Sequence, residues 1–330
     1  MFKNLSPSAL GITGHESEII ELALTYGFKG IDMEVSDFAT RAKLHGMPYA
    51  KRLIESANIR MGSFRLPFEW DVDDDDFKKN MEKLPWFAET AAEVGCTRCL
   101  ATLSPAGDKR PYHENFEFHR RRFADICNAL QPSGVWFGVG FQAADYLRKD
   151  QAFQFIHDFD ALTLLLNMVD APNMGLLLDT WDLVACGGSV ESIRNLPLGQ
   201  IVAVNVSEMP ADVPFSDLNE KSRLLPGSEN GRINVANTLR ILAEFGYTGP
   251  VTVTPSRKIF ETRRRDVIVR ETGRAFDKVW RAAGLTPDGK LGPAVPVDEP
   301  IKTPKAADTP NTAEPTDATA TAAVANTTEG

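Results

Sequence analysis

Carboxylates and amides collect where apolar runs of this chain end. Asp179 closes the run Met174–Asp179, and Asp182 follows one turn later in the text LLLDTWD. Asp32 and Glu34 end a second run, Asn205 and Glu208 end and follow a third, and Gln142 stands just past a fourth. Oxygen donors of this kind can coordinate a hard divalent cation or accept hydrogen bonds from sugar hydroxyls. Trp181, Phe64, Trp70, Phe141 and Arg65 are placed to stack on a polyol or grip its phosphate, and Arg223, in RLLPG, to approach an anionic substrate. The five histidines (His15, His45, His113, His119, His157) do not fall at these ends; only His15 reads as lying in a loop on the same side. Cys96 and Cys99 have CxxC spacing but no second CxxC or nearby His, so they read as buried thiols and not as a zinc set.

The elements that must position these residues alternate. Ser8–Ile12, Gly30–Val35, Ile59–Leu66, Arg98–Leu103, Val135–Phe141, Met174–Asp179, Ile201–Val206 and Pro250–Thr254 read as eight short buried strands. Helical patterns separate them: Ser17–Tyr26, the second half of Asp37–Ala57, Asp74–Val94, Asn115–Leu130, Phe159–Val169, Val190–Leu196, Val235–Phe245 and Asp266–Ala283. Strands alternating with helices imply a parallel sheet, and eight units suggest closure into a (β/α)8 TIM barrel occupying residues 1–285; the same spacing also fits an open doubly wound sheet. Residues 286–330 are rich in Pro, Thr and Ala and poor in large apolar side chains, which reads as a disordered tail.

The net charge of −9 argues against a nucleic-acid surface, and the basic runs Arg120–Arg122 and Arg263–Arg265 read as solvated helix faces. No apolar stretch is long enough to span a membrane, and the N-terminus has no secretory pattern, so the expected location is cytoplasmic.

The strand-end texts LSPSALGI, GFKGIDMEV, GSFRLPFEW, APNMGLLLDTWDLVACGGSVESIRNL, IVAVNVSEMPADVP, RLLPGSENGRINV and GYTGPVTVTPS occur in one order along residues 5–284. Together they resemble the sugar phosphate isomerase/epimerase family of the xylose-isomerase-like barrel superfamily. The resemblance implies the closed barrel, with function at the C-terminal ends of the strands. It further implies one divalent cation (Mn, Mg or Co) that grips adjacent sugar oxygens and stabilises an enediolate.

The ligands implied are a Glu ending strand 5, an Asp ending strand 6, a His on strand 7 and a Glu ending strand 8. Here those positions hold Gly140, Asp179, Asn205 (with Ala203 before it) and Thr254, so only Asp179 matches, and the His expected after it is Asp182. Glycine brings no donor, and a neutral amide does not replace imidazole for a transition-type metal. The reading that follows is a degenerate member without a cofactor. It binds a small carbohydrate or polyol through Trp181, Asp182, Asn205, Glu208 and Arg223, or serves an oligomer or an active paralogue as partner. The alternative is an active isomerase or epimerase with a rebuilt oxygen-ligand metal site around Asp179. An endonuclease on the same barrel would need a His- and Glu-rich trinuclear zinc site and a basic groove, which this sequence lacks.

Overall fold

Side chains buried on both faces of a strand require a filled interior on one side and helices on the other, and most strands of this chain are of that kind. In the computed structural model, which describes residues 1–292, eight parallel strands close into a barrel. They are β1 (Phe2–Leu5), β2 (Gly30–Met33), β3 (Arg60–Arg65), β4 (Arg98–Thr102), β5 (Trp136–Gly140), β6 (Met174–Asp179), β7 (Ile201–Val206) and β8 (Pro250–Val253). Each pairs with its neighbours in sequence, and β8 closes on β1 through Phe2↔Pro250, Lys3↔Val251 and Asn4↔Thr252. The open-sheet alternative is thereby excluded.

Seven of the eight expected strands fall where the apolar runs placed them. The first does not. Ser8–Ile12 is not a strand: Pro7–Leu10 is a short helical turn with proline in its first position, ended by Gly11 at φ +68°. The true β1 is the polar-looking FKNL, all four residues buried. Its polar members are compensated: Lys3 pairs with Asp277, and the Asn4 amide donates to Asp32 and Thr252. Gly62 makes room for that amide, since a Cβ there would lie 2.2 Å from Asn4 Oδ1.

Between the strands run the helices. Glu16–Thr25 follows β1. Val35–His45 and Met47–Ala57 follow β2 as two pieces hinged at Gly46 (φ +86°). The single helix expected over Asp74–Val94 is likewise two, Asp74–Met81 and Leu84–Ala92, because Pro85 cannot continue the first. Tyr112–Leu130, Phe159–Val169, Thr180–Ala185, Val235–Glu244 and Arg265–Ala282 complete the α-helices after β4 to β8, and the helix expected at Val190–Leu196 is a 3-10 segment.

The barrel unit extends past residue 285. The Trp280 indole donates to the Thr286 carbonyl at 2.8 Å, Leu285 bridges Leu291, and Gly289 packs against the Met1 carbonyl. Composition hid this turn, because its contacts are made by backbone groups. Residues 293–330, the rest of the expected tail, lie outside the described residues. Among the described residues no helix is long and apolar enough to cross a membrane.

His119 is buried in the aromatic wall beneath the mouth, stacked on Phe155 with ring centroids 4.9 Å apart and donating from Nδ1 to the Asn115 carbonyl. Burial pulls its pKa down to about 4. A histidine depressed in the folded state stabilises fully above its unfolded value near 6.5, and that contribution is lost as pH falls toward 4. His119→Phe is therefore expected to flatten the decline of Tm between about pH 6.5 and 4, measured by thermal denaturation of both proteins across that window.

Candidate functional site

The C-terminal ends of the strands open on a mouth made of two adjoining lobes, of about 230 Å³ and 250 Å³, which share Arg65, Thr102, Leu177, Asn205 and Thr254. The inner lobe lies over β1 to β3, the outer over β5 to β8.

Asp32 anchors the inner lobe. Its Oδ1 accepts from Asn4 Nδ2 at 2.8 Å, from the Ser63 backbone N–H at 3.1 Å and from Ser63 Oγ at 2.7 Å. Burial raises its pKa, and the hydrogen bonds from Ser63, Ser6 and Asn4 oppose that rise. Neither Asn4 nor Ser63 was evident beforehand, because the misplaced first strand put Asn4 outside the barrel.

The outer lobe is organised by one guanidinium. Asp179 ends β6 and caps the helix Thr180–Ala185, its Oδ1 accepting from the N–H groups of Trp181 and Asp182 at 3.0 and 3.3 Å. Both of its carboxylate oxygens also accept from Arg223 Nη1 at 3.0 Å, while Arg223 Nη2 donates to Asp182 Oδ2. The other oxygen of Asp182 accepts from the Ala143 N–H at 2.9 Å. Asp182 is 3% exposed, and burial pushes its pKa up to about 6, with Arg223 pulling it back and Asp179 adding to the rise. For Arg223, burial alone would lower the pKa, and the two carboxylates more than offset it.

Trp181 and Glu208, expected to touch substrate, line neither lobe. Trp181 is 2% exposed; its ring lies under the Arg223 guanidinium at 4.6 Å, and its indole donates to the Ser222 carbonyl at 3.1 Å. Glu208 is buried, its Oε1 accepting from the Met209 and Ile233 N–H groups at 3.0 and 2.5 Å. Its backbone exchanges two hydrogen bonds with Leu224, at 2.9 and 2.8 Å. Both residues hold the loop that carries Arg223. Asp182, Asn205 and Arg223 do face the mouth.

The four positions of the implied ligand set are spatially together. Gly140, Asp179, Asn205 and Thr254 all line the outer lobe. A Cβ at Gly140 would meet Leu177 O at 3.1 Å and Leu177 Cδ2 at 3.3 Å, so any side chain there would press on Leu177. Thr254 Oγ1 is buried without a hydrogen-bond partner. At these four positions a divalent cation would find one carboxylate whose two oxygens are both engaged by Arg223, one amide and one hydroxyl. Among the described residues no group of three or more His, Cys, Asp or Glu is placed to hold a metal. The residues present do not fit the implied cation.

The histidines take no part in the mouth. His15 begins the helix Glu16–Thr25, its N–H donating to Glu18, and His157 bonds the Phe155 carbonyl. The four cysteines are free thiols, and burial raises the pKa of both Cys96 and Cys99. Arg257, which also lines the outer lobe, was missed; a basic residue three places past Thr254 was the available signal.

A family model described as the xylose isomerase-like TIM barrel matches residues 20–276. The chain belongs to this family. An inosose isomerase from Halalkalibacterium halodurans is 29% identical over 134 residues, which is 41% of this chain and 45% of that protein, so the match spans less than half of that relative's length. A xylose isomerase domain protein from Alicyclobacillus acidocaldarius superposes with a TM-score of 0.76 at 23% identity, covering 86% of this chain and 99% of that one. The IolI protein, solved with a bound zinc atom, superposes with a TM-score of 0.68 at 17% identity over 86% of this chain and 98% of that one. These two likenesses establish the shared fold.

Removing one partner of a buried ion pair leaves the other charge uncompensated, at a cost of about 3–5 kcal/mol. Arg223→Met is expected to be destabilised by about this amount at neutral pH. Without the guanidinium the pKa of Asp182 rises above the value of about 6 that it has beside Arg223, so its protonation relieves the repulsion from Asp179 and the loss of Tm relative to wild type should shrink as pH falls from 8 toward 6. Thermal melts of both proteins from pH 8 to 5 measure this; a deficit that is constant with pH would contradict the pairing.

Proposed function

We propose that this chain is a metal-independent member of its family that binds a small carbohydrate or polyol in the barrel mouth. The observation that carries the reading is the Arg223 contact to both oxygens of Asp179. The only side chain retained from the implied ligand set already has a cation, and that cation is covalently part of the protein.

Three further observations support it. Leu177 crowds the Gly140 position, a threonine stands at 254, and Asp32, Asp179 and Asp182 are each hydrogen-bonded within the protein or paired. The rebuilt oxygen-ligand site would have to free Asp179 from Arg223 and recruit donors from the other lobe. For the ligand class, support comes from the relative named an inosose isomerase. The mouth also has the character of a sugar site: hydroxyls of Ser6, Thr102 and Thr252, the amide of Asn205 and the Asp32 carboxylate alternate with Leu66, Leu100 and Phe68.

Purified protein is expected to contain no stoichiometric Mn, Mg, Co or Zn by elemental analysis, and its Tm should not move with these metals or with a chelator. It should show no isomerase or epimerase turnover on a panel of ketoses and aldoses. Stoichiometric metal that disappears in Asp179→Ala would overturn the proposal.

A further inference from the structure

Two guanidiniums at the mouth form no ion pair among the described residues, and their convergence on one lobe points to a ligand. Arg65 ends β3, is exposed, and lines both lobes; among the described residues its guanidinium makes no hydrogen bond or ion pair. Arg257 lines the outer lobe, and its guanidinium donates only to the Ser8 carbonyl, while its aliphatic stem packs over Gly11. The third guanidinium of the outer lobe, that of Arg223, is matched with Asp179 and Asp182.

The lobes differ in charge. Three guanidiniums (Arg65, Arg223, Arg257) and two carboxylates (Asp179, Asp182) line the outer lobe, which leaves one positive charge, and Arg223 already satisfies both acids. The inner lobe is lined by Asp32, Glu34 and Glu69 with Arg65 as its one basic group, so it accepts hydrogen bonds from hydroxyls and repels a second anion. The protein as a whole is acidic, at −9, so general attraction of anions cannot account for binding one here.

We propose that the mouth takes a sugar acid: its single carboxylate sits in the outer lobe between Arg65 and Arg257, and its hydroxyl-bearing chain lies in the inner lobe. A planar carboxylate matches the two-pronged donor edge of a guanidinium, and one negative charge matches the surplus of the lobe, where a phosphate dianion exceeds it. Asn205 and Thr254, which line both lobes, stand where the two parts of such a ligand join. This inference rests on the polyol-binding reading and narrows it.

The test is calorimetric titration of the full chain with matched pairs that differ only in the acid group: D-gluconate against sorbitol, D-galactonate against galactitol, and D-mannonate against mannitol. Glucose 6-phosphate serves as the phosphate arm. At least one aldonate is expected to bind roughly 10-fold or more tightly than its alditol, the size of one charge-assisted hydrogen-bonded contact. Arg65→Ala should erase that preference and Arg257→Ala weaken it, read for each variant as the ratio of its aldonate affinity to its alditol affinity. Arg65→Lys should keep part of it. Because Arg65 is exposed and makes no hydrogen bond or ion pair among the described residues, Arg65→Ala is expected to melt with wild type, which separates loss of binding from loss of fold. Aldonates and alditols binding equally, or a preference that survives Arg65→Ala, would overturn the sugar-acid assignment and leave the polyol site standing. Tighter binding of glucose 6-phosphate than of any aldonate would overturn the carboxylate. No binding by any of these compounds would overturn both readings.

Discussion

The mouth of this barrel is built around a guanidinium held between two carboxylates. Asp179 and Asp182 sit one helical turn apart at the end of β6, and burial of Asp182 beside a second carboxylate disfavours its charged form unless a cation is near. Arg223 supplies it from a loop after β7, 44 residues away in sequence. Because the charge arrives on a side chain, the loop bearing it must be held in place. The ring of Trp181 beneath the guanidinium, the Glu208 clamp on Met209 and Ile233, and the paired backbones of Glu208 and Leu224 do that.

This arrangement changes what the mouth can offer a ligand. A metal presents open coordination positions, and a guanidinium whose donors are committed to two acids presents few. The groups left facing the lobes include Arg65 and Arg257, the carboxylates of Glu34 and Glu69, amides, hydroxyls and an internally hydrogen-bonded aspartate, which recognise a molecule by hydrogen bonds and charge. The two lobes separate those roles, with surplus positive charge over β5 to β8 and acceptors over β1 to β3. Leu177, lying between them, crowds the Cβ position of residue 140 on β5.

Much of the fold could be read before any coordinates. Apolar runs at regular intervals located seven of the eight strands to within two residues, since a strand buried on both faces shows itself as uninterrupted hydrophobicity. The failures have two causes. Strand β1 reads as polar because Lys3 and Asn4 are buried against Asp277, Asp32 and Thr252, partners 28 to 274 residues distant. The turn at 286–292 was hidden because its stabilising contacts run through backbone carbonyls, which composition does not record.

The chemical character of the strand ends was set by residue type alone: a glycine at 140, an amide at 205 and a hydroxyl at 254 cannot act as the acids and imidazole of the implied pattern, whatever their surroundings. The family and the barrel were equally legible from ordered local motifs. What those strand ends face was decided only by closure of the barrel. Whether Asp179 meets solvent, a metal or Arg223, and whether Trp181 and Glu208 face a ligand or hold a loop, depends on contacts between residues far apart in the chain. Side-chain type determines which partners are possible, and only the tertiary structure brings one of them within hydrogen-bonding distance.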